Sequence, residues 1–326
     1  MNNWLIIGLL AGIASGVLYF SASAGNFAGM MLASFASFPL FVAGLGWGLA
    51  TVALGVGVLL AGYVAILGLS SGVGAALAIG AAPIMVTWLA LQNRPAAARP
   101  SAEGEVADAG VEWYPEGRLV IWMSLLAAAG VALFVLMFST GPGGFEAAMG
   151  QQLEPLFKAF AEQPNPPPPE QVEQFRALLI AALPGGMSAV SLASMVASLA
   201  LAIAVVKRSG ASLRPWAPFG ELRFPRWSVW VLSAAALATF LPGLAGTLGW
   251  VVASAMFATF VVLGLAVIHG LTAGSPMQPM LLGLMYMLLI FFNVVVCFPL
   301  ILLAMTDQAF NLRGRAKSQP PAPPKP

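Results

Sequence analysis

Two long stretches of this chain contain no Asp, Glu, Lys or Arg: Met1 to Asn93, and Trp227 to Thr306. A fold that lives in water must cover its surface with polar groups, and these stretches have almost none to offer. Of all 326 residues only 8% are charged and 60% are hydrophobic, whereas a soluble domain carries about 25% charge. The pattern excludes a cytoplasmic enzyme, a nucleic-acid binder and a secreted disulfide scaffold. It specifies an all-α, polytopic helical membrane protein whose first partner is the lipid bilayer.

A helix needs about 20 apolar residues to cross the hydrocarbon core, which gives this chain about 8–10 transmembrane helices. Four spans fit into 1–92: Trp4 to Phe20, Ala28 to Trp47, Gly48 to Leu67, and Gly72 to Leu91. Ser21-Ala22-Ser23-Ala24-Gly25 resembles a signal-peptide cleavage site, but no Lys or Arg precedes the long apolar run. The first span is therefore expected to be a retained helix. Segment 93–117 is a polar loop, with Trp113-Tyr114 marking re-entry at headgroup depth. The membrane segment 118–310 follows, beginning with a fifth span to Phe138.

Within 118–310, the loop 141–176 holds an amphipathic stretch in which Phe145, Met149, Leu156, Phe157 and Phe160 share one helical side. Two readings stand for it: a helix lying on the membrane surface, or an ordinary packed loop helix. A sixth span, Ala177 to Val206, is expected to be interrupted at Pro184-Gly185-Gly186. Loop 207–226 collects Lys207, Arg208, Arg214, Arg223 and Arg226. Trp227 to Ala245 and Gly249 to Gly270 follow, hinged at Pro242-Gly243, and then the apolar block Met277 to Met305. The basic, proline-rich tail 311–326 is expected to be disordered.

Basic loops mark the cytoplasmic side. Placing 207–226 there puts 93–117 and the amino terminus in the cytoplasm and 141–176 outside, in a multi-pass protein of the inner (cytoplasmic) membrane. Counting three further spans would put the basic tail outside. The conflict disappears if Met277–Met305 is two half-helices folded near Asn293 or Pro299, which is the preferred arrangement.

Little chemistry is available to this interior. A net charge of +2 is too small a bias for a nucleic-acid partner. The chain has one cysteine, Cys297, and one histidine, His269, so neither an intrachain disulfide nor a His/Cys zinc site can be assembled. No nucleophile with a base, phosphate-binding loop or HExxH helix occurs. Neither an enzyme nor a cofactor or metal site is expected, and no catalytic residue is assigned.

Three polar positions stand out because ionisable and amide groups are costly near lipid. His269, near the end of a span, reads as a ligand or proton-handling group, or as a structural interfacial histidine. Asn293, deep in an apolar block, reads as an interhelical hydrogen-bonding group or a functional one. Asp307 follows the final apolar run and either pairs with Arg313 or Arg315 or acts as a functional carboxylate. Gly8, Gly12 and Gly16 recur on one face of the first helix. That face suits helix docking, against another membrane subunit or within the chain.

The series Gly264-Leu265-Ala266-Val267-Ile268-His269, an apolar block, and Asp307-Gln308-Ala309-Phe310-Asn311-Leu312-Arg313 resembles the carboxyl region of the YybS-like family. These are predicted membrane proteins carrying domain of unknown function 2232. Phe38-Pro39-Leu40, Gly44-Leu45-Gly46-Trp47-Gly48, Trp113-Tyr114-Pro115 and Gly117-Arg118 look like that family too, so the likeness is expected to cover nearly the whole chain. Phe38 to Gly62 is also similar to substrate-binding components of energy-coupling-factor vitamin transporters and to the rod-shape protein MreD. In the transporter components a small-residue face on the first helix meets the coupling subunit; Gly8, Gly12 and Gly16 are the matching positions. The resemblance implies a small-molecule transport component that takes an uncharged or weakly polar solute between helices. The alternative is a membrane scaffold for envelope or division assembly. No particular solute is named by the sequence.

Overall fold

The computed structural model describes residues 3–95, 110–162 and 166–318, apart from the side chains of Asn293, Lys317 and Ser318. Its architecture is a bundle of apolar helices, with one short antiparallel ladder pairing β1 (Asn93–Pro95) with β2 (Val111–Trp113). Among the described residues, seven helices are long and apolar enough to cross a membrane.

The first helix, α1 (Asn3–Phe20), shows how such a bundle is held in lipid. Gly8, Ala11, Gly12 and Ser15 are buried, while Leu5, Leu9, Leu10, Ile13 and Val17 are exposed. The large apolar side chains face outward and the small residues face inward, because helices in lipid associate by close backbone approach. The partner is α4 (Leu49–Leu67) of the same chain. A methyl group on Gly8 would press on the Thr51 carbonyl, one on Gly12 would collide with that of Gly55, and Gly16 faces Leu59 and Tyr63. Residue numbers rise together along both helices, so α1 and α4 run parallel. The glycine face is thus occupied internally at Gly8 and Gly12, and does not wait for another subunit.

Several expected boundaries move. The second span is two helices, α2 (Phe27–Ser34) and α3 (Phe38–Trp47). Asn26 caps α2 by accepting the Gly29 N–H at 2.8 Å, and Pro39 sits in the first turn of α3, where no N–H is needed. Gly48 (φ 92°) joins α3 to α4, and Gly68 (φ 89°) joins α4 to α5 (Leu69–Ala75). Such φ values disfavour any side chain, and single-residue joints of this kind explain how spans follow one another so closely. The fourth span continues from α5 through a π-helical stretch, Ala76–Gly80, into α6 (Ala81–Ala90). The Ser37 hydroxyl donates to the Ile79 carbonyl at 2.9 Å.

After α7 (Glu116–Phe138) comes α8 (Gly144–Ala161). Phe145 and Met149 are buried in a cluster with Val131, Val135 and Ile180, so this is a packed helix, not one lying freely on the membrane. Helix α9 (Pro169–Arg208) runs 40 residues without a break at Pro184. The expected interruption is instead a docking notch: Gly185 lies against the Trp250 indole and the Ser254 hydroxyl of α11 (Gly243–Thr272). At 1.5 Å per residue α9 is about 60 Å long, far more than the hydrocarbon core of about 30 Å. Its first turns pack with α8 through Phe157, Phe160 and Phe175. In contrast α10 (Trp227–Ala238) has 12 residues and stops before Pro242, shorter than the expected span to Ala245.

Helical hydrogen bonding continues along α12 from Gln278 to Phe310, with Pro299 inside. A straight helix of this length would be about 50 Å long. Yet the Gln278 side chain bonds the His269 carbonyl, and the Arg313 side chain lies against Gly270. Both ends reach the same turn of α11, so the segment folds back on itself into an outgoing and a returning limb. The returning limb runs beside α11, with Phe298 against Phe257 and Leu300 against Gly264. Pro299 donates no N–H to Val295, which loosens the helix there. The tail does not begin as coil: α13 (Leu312–Ser318) follows Asn311, whose φ of 51° ends α12. The expected disorder of 319–326 lies outside the described residues.

The bundle therefore has one polar end, formed by Ala90–Pro95, Val111–Arg118, 207–226, the α11–α12 turn and α13. Two consequences can be measured. Gly12→Leu should lower unfolding stability by about 1–3 kcal/mol through overpacking, whereas Gly57→Ala, which faces open space, should change little in detergent melting curves. In a Cys297→Ala background, single cysteines at Ser209 and Arg315 should label from the same side of sealed vesicles, and one at Gln151 from the other.

Candidate functional site

The polar end is organised by the loop 207–226, which sequence reading flags only as a cluster of charge. Its centre is Arg214, a buried guanidinium. Nη1 donates to the carbonyls of Ala90 and Tyr114, both at 3.0 Å, finishing the carboxyl end of α6 and fixing the entry to α7. Nη2 lies 3.5 Å from Glu116 Oε1, which also accepts the Ala217 N–H at 2.8 Å. Trp216 stacks on the guanidinium at 4.5 Å. Burial pulls the Arg214 pKa down and the Glu116 charge opposes that shift; Arg remains cationic in either case. Nothing in the sequence separates Arg214 from its neighbours, because its role comes from carbonyls a hundred or more residues away.

On the other side of the same loop lies a cavity of 570 Å³, lined among others by Phe219, Glu221, Arg223, His269, Gln278 and Arg313. Its floor is a backbone contact. A side chain on Gly220 would sit 2.8 Å from the Gly270 Cα, and one on Gly270 would sit 2.6 Å from the Gly220 carbonyl oxygen. Glycine at both positions lets the loop rest directly on the end of α11.

His269 forms one wall. Its Nδ1 is 2.8 Å from the Leu265 carbonyl, which can only accept, so the ring proton sits on Nδ1. Nε2 is then the acceptor for the Tyr286 hydroxyl at 3.4 Å. Phe219 and Tyr286 meet the imidazole edge-on, at centroid distances of 5.1 and 5.9 Å.

Asp307 sits behind the cavity in an ion pair. Its Oδ2 accepts from Arg313 Nη2 at 2.7 Å and Nε at 3.0 Å, while Oδ1 accepts the Arg313 backbone N–H at 3.0 Å. The two side chains are 2% and 4% exposed, so both are fully desolvated. Arg313 Nη1 extends the link to the Gly220 carbonyl at 2.7 Å. Arg313, which holds Asp307, also lines the cavity that His269 walls, so residues separate in sequence meet around one space. Asn293 lies within α12, and its side chain is outside the described residues. Of the glycine series, Gly12 and Gly16 line a different, apolar groove of 350 Å³ between α1 and α4.

Charge here is held by geometry, so removing one partner strands the other. Asp307→Asn should cost about 3–5 kcal/mol by leaving Arg313 buried and unpaired. The double change Asp307→Asn with Arg313→Met should recover part of that loss in denaturant titrations. Arg214→Met should cost a similar amount, because it orphans the Ala90 and Tyr114 carbonyls as well as Glu116.

The match to known families covers this half of the molecule. A model described as predicted membrane protein, domain of unknown function 2232, matches residues 116–308. No curated protein matches the chain, and no solved structure does. The weaker likenesses to energy-coupling-factor components and to MreD gain no support from these comparisons. The matched range begins with α7, so Phe38–Gly48 fall outside it, contrary to the expected coverage of nearly the whole chain. It includes α7 to α11, both limbs of α12, His269 and Asp307. The chain belongs to the family of predicted membrane proteins defined by domain of unknown function 2232.

Proposed function

We propose that this protein is a small-molecule transport component that binds a polar solute in the cavity between loop 218–223, the end of α11 and the folded α12. The carrying observation is the cavity itself. At 570 Å³ it falls within the roughly 300–1,000 Å³ of ligand pockets, and it gathers Glu221, Arg223, His269, Gln278 and Arg313 at the end of apolar helices. Arg223 and Arg313 are balanced by Glu221 and Asp307, so the empty cavity carries no net charge when His269 is neutral. A site so balanced favours a ligand that is electrically neutral overall.

Orientation follows from the same end of the molecule. Arg94, Arg118, Lys207, Arg208, Arg214, Arg223, Arg226, Arg313 and Arg315 belong to the polar end, and Lys158 and Arg176 to the other. Eight of the nine tryptophans also lie in the loops or helix turns next to that end; Trp250, near the start of α11, does not. By the positive-inside rule this is the cytoplasmic face. The amino terminus, the cavity and α13 then face the cytoplasm, in the inner membrane.

A second reading, as a scaffold, has one observation in its favour. The pair formed by α8 and the start of α9 exposes Leu156, Phe175 and Leu178 at the far end. Mild-detergent purification separates the two readings: envelope-assembly proteins should co-purify if that surface docks a partner.

The transport reading is tested by melting the purified protein against a panel of polar metabolites. A ligand near a hundredfold its Kd should raise the melting temperature by about 2–4 °C. Gly270→Ala, which drives a methyl group into the Gly220 carbonyl and the Arg313 side chain, should abolish the shift. A panel without a stabilising solute would overturn the reading.

A further inference from the structure

We propose that the cavity takes a monocarboxylate together with one proton, and that His269 carries the proton. The inference rests on the reading of the cavity as a solute site and names its ligand class.

The argument begins with charge. Each group facing His269 has a fixed role. Glu221, Arg223 and Phe219 come from the loop, Tyr286 and Gln278 from the outgoing limb of α12, and Arg313 from α13, with Asp307 behind it on the returning limb. Arg313 is neutralised by a carboxylate in direct contact, and Glu221 offsets Arg223. A bound monoanion would leave one negative charge uncompensated in a partly desolvated cavity, at considerable electrostatic cost. Because its Nδ1 already holds a proton, His269 has in Nε2 a basic ring nitrogen able to take up another. Protonation at Nε2 restores neutrality.

The hydrogen bonding permits this without rearrangement. The Nδ1 proton stays on the Leu265 carbonyl, which leaves Nε2 as the site of uptake. Its partner, the Tyr286 hydroxyl, is both donor and acceptor. When Nε2 gains a proton, the hydroxyl accepts from it and turns its own proton outward. Among the described residues Arg223 uses a single N–H, donated from Nη1 to Asn311 Oδ1 at 2.9 Å. The rest of its planar fork is free for a carboxylate, the anion that such a fork matches in two parallel bonds. Phe219 and Tyr286 flank the imidazole and supply apolar contact for the body of the acid. A dianion would exceed the single available proton, and a neutral amide would gain nothing from it.

The test is calorimetric titration of the full chain in phosphatidylcholine nanodiscs from pH 5.5 to 8.5, with benzoate, benzamide and phthalate as probes. Measurements in two buffers of unlike ionisation enthalpy count the protons taken up. Benzoate should bind with uptake of one proton on the alkaline side, its affinity falling about tenfold per pH unit there. Benzamide should bind more weakly and without pH dependence, and phthalate more weakly than benzoate. His269→Gln should remove the pH slope, whereas Arg223→Gln should weaken benzoate at least tenfold and keep the slope. Benzoate binding without proton uptake, or with its slope intact in His269→Gln, overturns the proton coupling; its loss in Arg223→Gln would still leave the cavity as the solute site. Failure of all three probes at every pH also overturns the proposal. The cavity reading then falls only if the metabolite panel fails as well.

Discussion

Backbone-to-backbone contact across glycine is the interaction on which this bundle depends, because hydrocarbon outside gives apolar side chains no reason to cluster inside. The same device recurs at every level. Gly8 and Gly12 admit the backbone of α4 and Gly264 that of Leu300, while Gly44 and Gly185 make room in the same way for the side chains of Thr87 and Trp250. At the polar end Gly117 meets the Arg223 carbonyl and Gly220 meets Gly270. These last two seat the loop 207–226 on the helix ends, and the cavity exists because the loop sits there. Packing inside the membrane and the shape of the site outside it thus share one physical origin.

Polar groups then do what packing cannot. A helix end has carbonyls without intrahelical partners, and Arg214 supplies the donor for Ala90 at the end of α6. The loop carbonyls of Tyr114 and Gly220 are served by Arg214 and Arg313 in the same way. Each buried guanidinium also has a carboxylate beside it, so the charge is compensated where it is desolvated. Fixed pairs of this kind leave the histidine as the variable element of the cavity.

Much of the architecture is legible in the charge pattern alone, since the uncharged stretches delimit most of the helices. Proline was the poorer guide. Pro184 reads as a break, yet α9 runs through it, because α11 packs against the adjacent Gly185 and holds the helix on course. Pro242 reads as a hinge within one span, but the chain leaves helix at Ala238 and re-enters it at Gly243. The site was legible only in parts. His269 and Asp307 stand out because ionisable groups are rare there, and Asp307 does pair with Arg313. Glu221, Arg223 and Gln278 carry no local signal: they join the cavity through the resting of a loop on α11, a contact between glycines fifty residues apart. The glycine face of α1 was visible, but its occupant was not, since periodicity shows that a helix can be approached and not by which neighbour.

The reversal of α12 bears on how the chain is counted across the bilayer. Its uncharged run is long enough to read as one crossing in a hydropathy plot. Both ends nevertheless reach the same turn of α11. An odd count at this point would assign every later residue to the wrong face, so the parity of the topology is decided by a bend and not by hydrophobicity.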